Sequence, residues 1–225
     1  MKPELSIVLP VRNQADHIVG VLDRYKSAFK GHSYEIILVP NASHDDSLGI
    51  CRAIAKKNRN ISVVDNPKGG WGLSVRVGLK AARGRFLCYT NSARTDPKTL
   101  LSLWLKSRRQ PEALWKVTRS DHGGLLKKLG SALYNLECRL LLGARSRDVN
   151  GTPKIFPAGL LKKAKLFSDG DLLDAELLAH CRRFEVAVVE VPLEGWRRHG
   201  GKSTTNLKSA FRMYGGVVAL WRRMK

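Results

Sequence analysis

Two carboxylates two residues apart, Asp174 and Glu176, sit at the start of a helix-like segment. Downstream, Arg197-Arg198-His199 runs into Gly200-Gly201-Lys202-Ser203. Paired carboxylates can orient a hydroxyl or take a proton, and arginines beside small residues can hold a phosphate. Neither pattern is specific alone, because acidic residues also stabilise a helix's first turn without any substrate. The Gly-Lys-Ser ending resembles a phosphate-cradling loop. The glycine that the full pattern requires five residues before Gly201 is Trp196, so a flexible loop is expected instead. Cys51, Cys88, Cys138 and Cys181 form no Cys-x-x-Cys pair, which suggests neither a zinc site nor a redox motif and favours a reducing, cytosolic compartment.

These residues need a scaffold. The apolar runs Leu5–Val11, Tyr34–Val39, Ile61–Val64 and Phe86–Tyr89 read as strands, each followed by a helix-like segment. Repeated βα units predict an α/β chain with a mainly parallel sheet flanked by helices. Ligands of such sheets bind beyond the carboxyl ends of the strands, which selects Pro10 to Gln14, Pro40 to Asp46, Asn66 to Gly72 and Thr90 to Pro97. Further on, a strand is expected at Leu114–Val117, a helix about Leu125–Leu142, an extended stretch near Val149–Phe156, a helix from Asp171 to Arg183 and a strand at Val186–Val191.

With 225 residues the chain is long enough for one sizeable core, and 40 Lys and Arg against 19 Asp and Glu, a formal charge of +21, favour anionic partners: nucleic acid, a phosphorylated substrate or acidic lipid. From Trp196 onward there are eight basic residues and no acid. No stretch approaches the roughly 20 apolar residues that cross a bilayer, and Met-Lys-Pro-Glu lacks the apolar run of a secretory signal. Membrane contact is therefore expected to be peripheral, on the cytoplasmic face. The terminal segment, Asn206 to Arg223, places Leu207, Phe211, Tyr214, Val218 and Trp221 on one helical stripe. It is either an amphipathic interfacial helix or one that packs on the core.

The ordered motifs resemble a known family. Ser6–Ala15 (SIVLPVRNQA) is similar to the first strand and loop of family 2 glycosyltransferases with the GT-A, nucleotide-diphospho-sugar transferase fold. Glu35–Ser47, Gly70–Gly78 and Ala82–Phe86 resemble that family's second strand end, its Gly-Lys-Gly segment and its Ala-x-Gly. Asp148–Phe156, Asp174–Leu177, Glu190–Leu193 and Arg197–Ser203 resemble its Asp-x-x-x-Gly-x-Lys-x-Phe, Asp-x-Glu-Leu, Glu-Val-Pro and Arg-x-x-Gly-x-Ser. The set covers about residues 5–206, and the nearest subgroup is the polyprenyl-phosphate sugar synthases of the dolichyl-phosphate mannose type. The resemblance implies a GT-A domain over 1–205, with a nucleotide-binding half about 1–100 and an acceptor half about 101–205, followed by a basic amphipathic helix at 206–225.

The resemblance further implies a nucleotide-sugar held by Pro10, Arg12 and Gln14 on the first loop and by Val39 and Asn41 on the second. Asn91, Ser92 and Ala93 occupy the place of the metal-binding Asp-x-Asp, so both carboxylates that would hold Mg2+ or Mn2+ are missing. No metal ligand is assigned, and Asp96 reads as a helix cap beside Pro97. Metal-independent neutralisation of the leaving diphosphate would fall to cations, with Arg119, Lys154 and Arg198 on positions implied to lie near phosphates, and Arg94 and Lys202 as further candidates. Asp174, Glu176 and Arg198 are the implied catalytic set, and Ser203 belongs to the acceptor-side loop. The implied reaction moves a sugar, with inversion, onto a polyprenyl phosphate or another anionic acceptor at an anionic membrane surface. One alternative is a degenerate GT-A scaffold without activity. Another, nucleic-acid binding, is disfavoured because Trp104, Trp115 and Trp221 fall within helix or strand patterns where packing is the commoner role.

Overall fold

The computed structural model describes residues 2–119, 125–193 and 207–225. Every residue of β1 (Leu5–Val11) is buried, as the central strand of a two-faced parallel sheet requires, and this is why it reads as one apolar run. β2 (Tyr34–Pro40) and β3 (Ile61–Val63) lie parallel on one side of it, and β4 (Phe86–Tyr89) lies parallel on the other. The sheet continues through β6 (Lys154–Pro157), β5 (Leu114–Arg119) and β7 (Val188–Leu193), giving the order β3-β2-β1-β4-β6-β5-β7. β6 alone runs antiparallel, against both β4 and β5.

Helices cover both faces. α1 (Ile18–Ala28), α2 (Ser47–Lys57) and α4 (Pro97–Ser107) pack on the face bearing Leu5, Ile7 and Leu9, in a core that holds Tyr25, Phe29 and Trp104. α3 (Trp71–Ala81), α5 (Leu125–Leu142), α6 (Ala158–Lys163), α7 (Leu173–Arg183) and α8 (Leu207–Met224) contribute to the core on the face bearing Val8, Ile37 and Val39. Strand order reverses about β1: the chain moves outward through β2 and β3, then returns to place β4 on the opposite side of β1. That reversal opens a crevice outside the carboxyl ends of β1 and β4, where ligands of such sheets bind.

Several motifs now have structural reasons. Gly84 donates its N–H to Ser6 Oγ at 2.7 Å, and a Cβ there would meet Ser6 backbone nitrogen at 2.7 Å. Glu35, buried, accepts from Ser6 Oγ and from the Arg83 backbone and guanidinium, which locks the Ala-x-Gly turn to β1 and β2. A Cβ on Gly72 would meet the Ser168 carbonyl at 2.5 Å and the Gly170 carbonyl at 2.6 Å, so the glycine admits the 168–170 backbone against the start of α3.

Several boundaries differ from expectation, among them the end of β5 and the start of α7, and two of the differences have a local cause. β7 begins at Val188 rather than Val186, because Glu185 turns left-handed (φ 55°) and Val186 N–H closes on the Cys181 carbonyl at 2.8 Å to end α7. The extended stretch expected at Val149–Phe156 is a strand only from Lys154, since Asp148 to Gly151 form a turn. Gly78 offers a direct check of the packing between α3 and the sheet. A Cβ there would lie 2.4 Å from Val8 Cγ1 and 3.0 Å from Val39 Cγ2, so Gly78→Ala is expected to lower unfolding free energy by about 1–3 kcal/mol in urea titration.

Candidate functional site

The β1–α1 and β4–α4 loops meet at the switch point. Asn13 and Ala42 adopt positive φ there, at 51° and 44°. The Gln14 N–H donates to Ser47 Oγ at 2.8 Å, and the His44 N–H donates to Asn13 Oδ1 at 2.9 Å, so the ends of β1 and β2 are stitched together. Ser92 turns inward: its hydroxyl lies 2.8 Å from Gln14 Oε1 and 3.1 Å from the Pro10 carbonyl. Asn91 Oδ1 accepts the Ala93 N–H at 2.9 Å, closing its own turn. Asp96 caps α4 by accepting the Thr99 N–H at 3.1 Å, as its place before Pro97 predicts. The position of the metal-binding motif therefore offers a buried hydroxyl, a self-satisfied amide and a methyl group. This donor set does not fit a divalent ion, which takes carboxylate oxygens. Among the described residues no three His, Cys, Asp or Glu side chains gather as metal ligands.

On the β2 side, Asn41 pairs with Asn66 across an isolated parallel bridge, and Asn66 Nδ2 donates to Ser74 Oγ at 2.8 Å. Asn41 Oδ1 is buried with no hydrogen-bond partner, a costly state for an acceptor. Val39 is buried in the sheet and Arg12 is exposed on the first loop. Pro10 contributes only its backbone carbonyl, already used by Ser92.

The second half holds a buried charge network. Lys116 and Lys154, both with fully buried side chains, are register partners across β5 and β6. Lys154 Nζ pairs with Asp174 and donates to the Gly151 carbonyl at 2.9 Å, while the Tyr89 hydroxyl donates to Asp174 at 2.7 Å. Lys116 Nζ donates to the Asp148 carbonyl at 2.6 Å and to Glu190 at 3.2 Å. Arg119 grips the Asp148 carboxylate with Nε at 2.8 Å and Nη2 at 2.7 Å. Burial and the neighbouring Lys154 pull the Lys116 amine down to about 8. Burial pushes the Asp148 carboxyl up, but Arg119's hydrogen bonds and charge, with Lys116, prevail and hold it at about 2.

In this geometry several of the expected site residues are engaged by partners within the protein. Glu176 is fully buried and both its oxygens accept backbone N–H groups, from Phe167 and Ser168 at 2.8 Å each. It anchors the segment whose 168–170 backbone lies against the start of α3. Asp174 is likewise buried, paired with Lys154 and accepting from the Tyr89 hydroxyl. Arg119 and Lys154 lie at the strand ends as expected, but their charges are committed to Asp148 and Asp174 instead of an open phosphate subsite. Arg198 and Ser203, with Lys202, lie outside the described residues. Lys116 was not foreseen, although a lysine within the apolar strand Leu114–Val117 was the available signal: such a residue is buried only when paired.

Two measurements check the network. Lys154→Met should cost about 3–5 kcal/mol in urea unfolding by stranding the Asp174 charge, and adding Asp174→Asn should restore most of the loss. Asp148 is ionised preferentially in the fold, so its stabilisation is fully present above its ordinary value of about 3.9 and is lost as pH falls through about 2. Unfolding free energy should drop by about 2 kcal/mol over that window, and Asp148→Asn should flatten the fall.

Comparison with known proteins agrees with this architecture. The chain is 27% identical over 174 residues to a dodecaprenyl-phosphate galacturonate synthase of Rhizobium johnstonii, covering 74% of this chain and 51% of that protein. The chain thus spans about half the length of that relative. It is 23% identical to an undecaprenyl-phosphate 4-deoxy-4-formamido-L-arabinose transferase of Edwardsiella ictaluri, over 96% of this chain and 73% of that protein. Among solved structures, glucosyl-3-phosphoglycerate synthase of Mycobacterium tuberculosis in complex with Mn2+, UDP and glucosyl-3-phosphoglycerate superposes with a TM-score of 0.69 at 23% identity, covering 97% of this chain and 78% of that one. The family model for glycosyl transferase family 2 matches residues 6–152, the span that contains the switch-point crevice and the Arg119–Asp148 pair, and the chain belongs to that family.

Proposed function

We propose that the protein transfers a sugar from a nucleotide-sugar to a polyprenyl phosphate, with inversion at the anomeric carbon. The observation that carries the donor half is Asn41, whose unspent acceptor lies at the end of β2 beside the crevice. A nucleobase N–H or a ribose hydroxyl would supply the missing donor. Arg12, exposed on the adjoining loop, is the described cation suited to the departing diphosphate, with Arg198 assigned the same work by its motif. The carboxylate pair that would hold Mg2+ or Mn2+ is absent from the sequence, and cations can stabilise the same developing charge.

The acceptor half rests on charge. A phosphate monoester, with a second pKa of about 6, is already ionised near neutral pH and needs no base. Its oxygen attacks the anomeric carbon, and the bond from that carbon to the diphosphate breaks with its electron pair leaving on the nucleoside diphosphate. No proton moves in this step, which suits a site whose Asp174 and Glu176 are both spent on internal partners. What the step needs is positive charge against repulsion between two phosphorylated substrates, and the excess of 24 basic over 11 acidic residues in 101–225 supplies it. The names of the Rhizobium and Edwardsiella relatives, both acting on polyprenyl phosphates, support this acceptor class.

The direct test follows label from a panel of nucleotide-sugars into solvent-extractable polyprenyl-phosphate sugar. Transfer from one donor is expected, and Arg12→Ala should raise the donor KM about tenfold, the loss of one charge-assisted hydrogen bond. Nucleotide binding without transfer to any polyprenyl phosphate would remove the acceptor assignment. Absence of both would favour the scaffold reading.

A further inference from the structure

Trp71 stands where α3 overhangs the crevice. The residues with which α3 meets the sheet include Ser74, Val75, Gly78 and Leu79, all buried. Trp71 falls on the same stripe, seven residues before Gly78, which lies over Val8 and Val39. At 1.5 Å per residue it is about 10 Å nearer the carboxyl end of the sheet than Gly78. β4 stops at Tyr89, level with Val8, so the indole reaches past the strand end, edge-on to the Tyr89 ring with centroids 6.5 Å apart. Trp104 and Trp115 are buried, but Trp71 keeps part of its surface open. Its N–H donates to no described residue, whereas a tryptophan used only for packing ordinarily finds that group a partner.

The ring is held in place from several directions. Tyr89 is fully buried and its hydroxyl donates to Asp174 at 2.7 Å. Gly70 and Gly72 flank Trp71, and a Cβ on them would meet the Asp169 carbonyl at 2.7 Å and the Ser168 carbonyl at 2.5 Å respectively. The 168–170 backbone thus presses on both neighbours of the tryptophan. The Leu73 N–H donates to the Asp169 carbonyl at 2.9 Å, and Arg76 donates to the Phe167 carbonyl at 2.9 Å and pairs with Asp169. An aromatic face fixed before binding loses little freedom when a ligand stacks on it.

The chain just before Trp71 borders the unspent acceptor at the end of β2: a Cβ on Gly69 would lie 3.7 Å from Asn41 Oδ1. A nucleotide-sugar whose nucleoside meets Asn41 would extend its diphosphate and then its sugar along this rim. One face of a pyranose presents C–H groups, and the negative face of an aromatic ring attracts such hydrogens. We propose that Trp71 is the stacking platform for the donor's sugar ring and selects a neutral hexose. The inference rests on the nucleotide-sugar reading above. In the Gly-Lys-Gly segment that Gly70–Gly72 resembles, lysine holds the place of Trp71. The exchange removes an ammonium and supplies a π face, so this position bears on which sugar is accepted and not on whether the nucleotide is held.

The test is calorimetric titration of UDP, UDP-glucose and UDP-glucuronate, and of GDP and GDP-mannose, into the unaltered chain and its Trp71 variants. For the nucleotide that binds, Trp71→Ala should weaken the neutral nucleotide-sugar about tenfold while changing the nucleoside diphosphate by less than about twofold, and Trp71→Phe should keep most of the affinity. If UDP is the nucleotide, the unaltered chain should favour UDP-glucose over UDP-glucuronate, and Trp71→Lys should reverse that order. Tryptophan emission should be quenched by the nucleotide-sugar more than by the nucleoside diphosphate, and the difference should vanish in Trp71→Phe. That readout does not need the alanine variant to fold, and a packing role would not produce it. Equal weakening of both ligands by Trp71→Ala would give the indole to the base or the diphosphate and overturn the proposal. So would an unchanged nucleotide-sugar affinity, or a preference of the unaltered chain for the glucuronate. Nucleoside diphosphate binding with any of these results leaves the donor reading standing, whereas no binding of any ligand would overturn both.

Discussion

Three cations and three carboxylates share the interior between β4, β5, β6 and α7: Lys116, Lys154 and Arg119 against Asp148, Asp174 and Glu190. Two like charges, Lys116 and Lys154, face one another across a strand pair, which is tolerable only because each has its own carboxylate and carbonyl partners. The arrangement fixes much of the second half. Asp148 sets the turn before β6, Glu190 joins β7 to Lys116 of β5, to the Ser146 hydroxyl and to the Arg147 N–H, and Asp174 holds α7 against Tyr89 at the end of β4. A buried ion network is weak evidence for stability but demands a specific geometry, since each unpaired member would strand a charge. Here it makes the antiparallel β6 a rigid wall beside the switch-point crevice.

Charge used internally is not available to a substrate. The family-like motifs Asp-x-x-x-Gly-x-Lys, Asp-x-Glu-Leu and Glu-Val-Pro are joined by internal ion pairs, Lys154 to Asp174, Asp148 to Arg119 and Glu190 to Lys116. At the crevice, loss of the carboxylate pair leaves Ser92 free to bond Gln14 and the Pro10 carbonyl, joining the two loops that a bound ion would otherwise help to organise.

Much of the fold was legible because its inner strands are buried on both faces. β1 and β2 read as continuous apolar runs, and Asp96 beside Pro97 marked the start of α4. The direction of β6 was not legible, since antiparallel pairing depends on partners distant in sequence and not on local pattern. β7 was misplaced by two residues because Val186 looks like strand but closes a helix. For the candidate site, the motifs pointed to loops at the strand ends, but the partners of individual side chains were not legible: nothing local shows that Glu176 accepts the Phe167 and Ser168 N–H groups.

The most direct test of this account is calorimetric titration of nucleoside diphosphates into the protein, first with chelator and then with Mn2+ or Mg2+. A site built from Asn41 and cations, with no carboxylate pair, predicts one nucleoside diphosphate bound with the same affinity in both. Binding that appears only with the metal would contradict it, and would mean that a carboxylate outside the expected motif holds the ion.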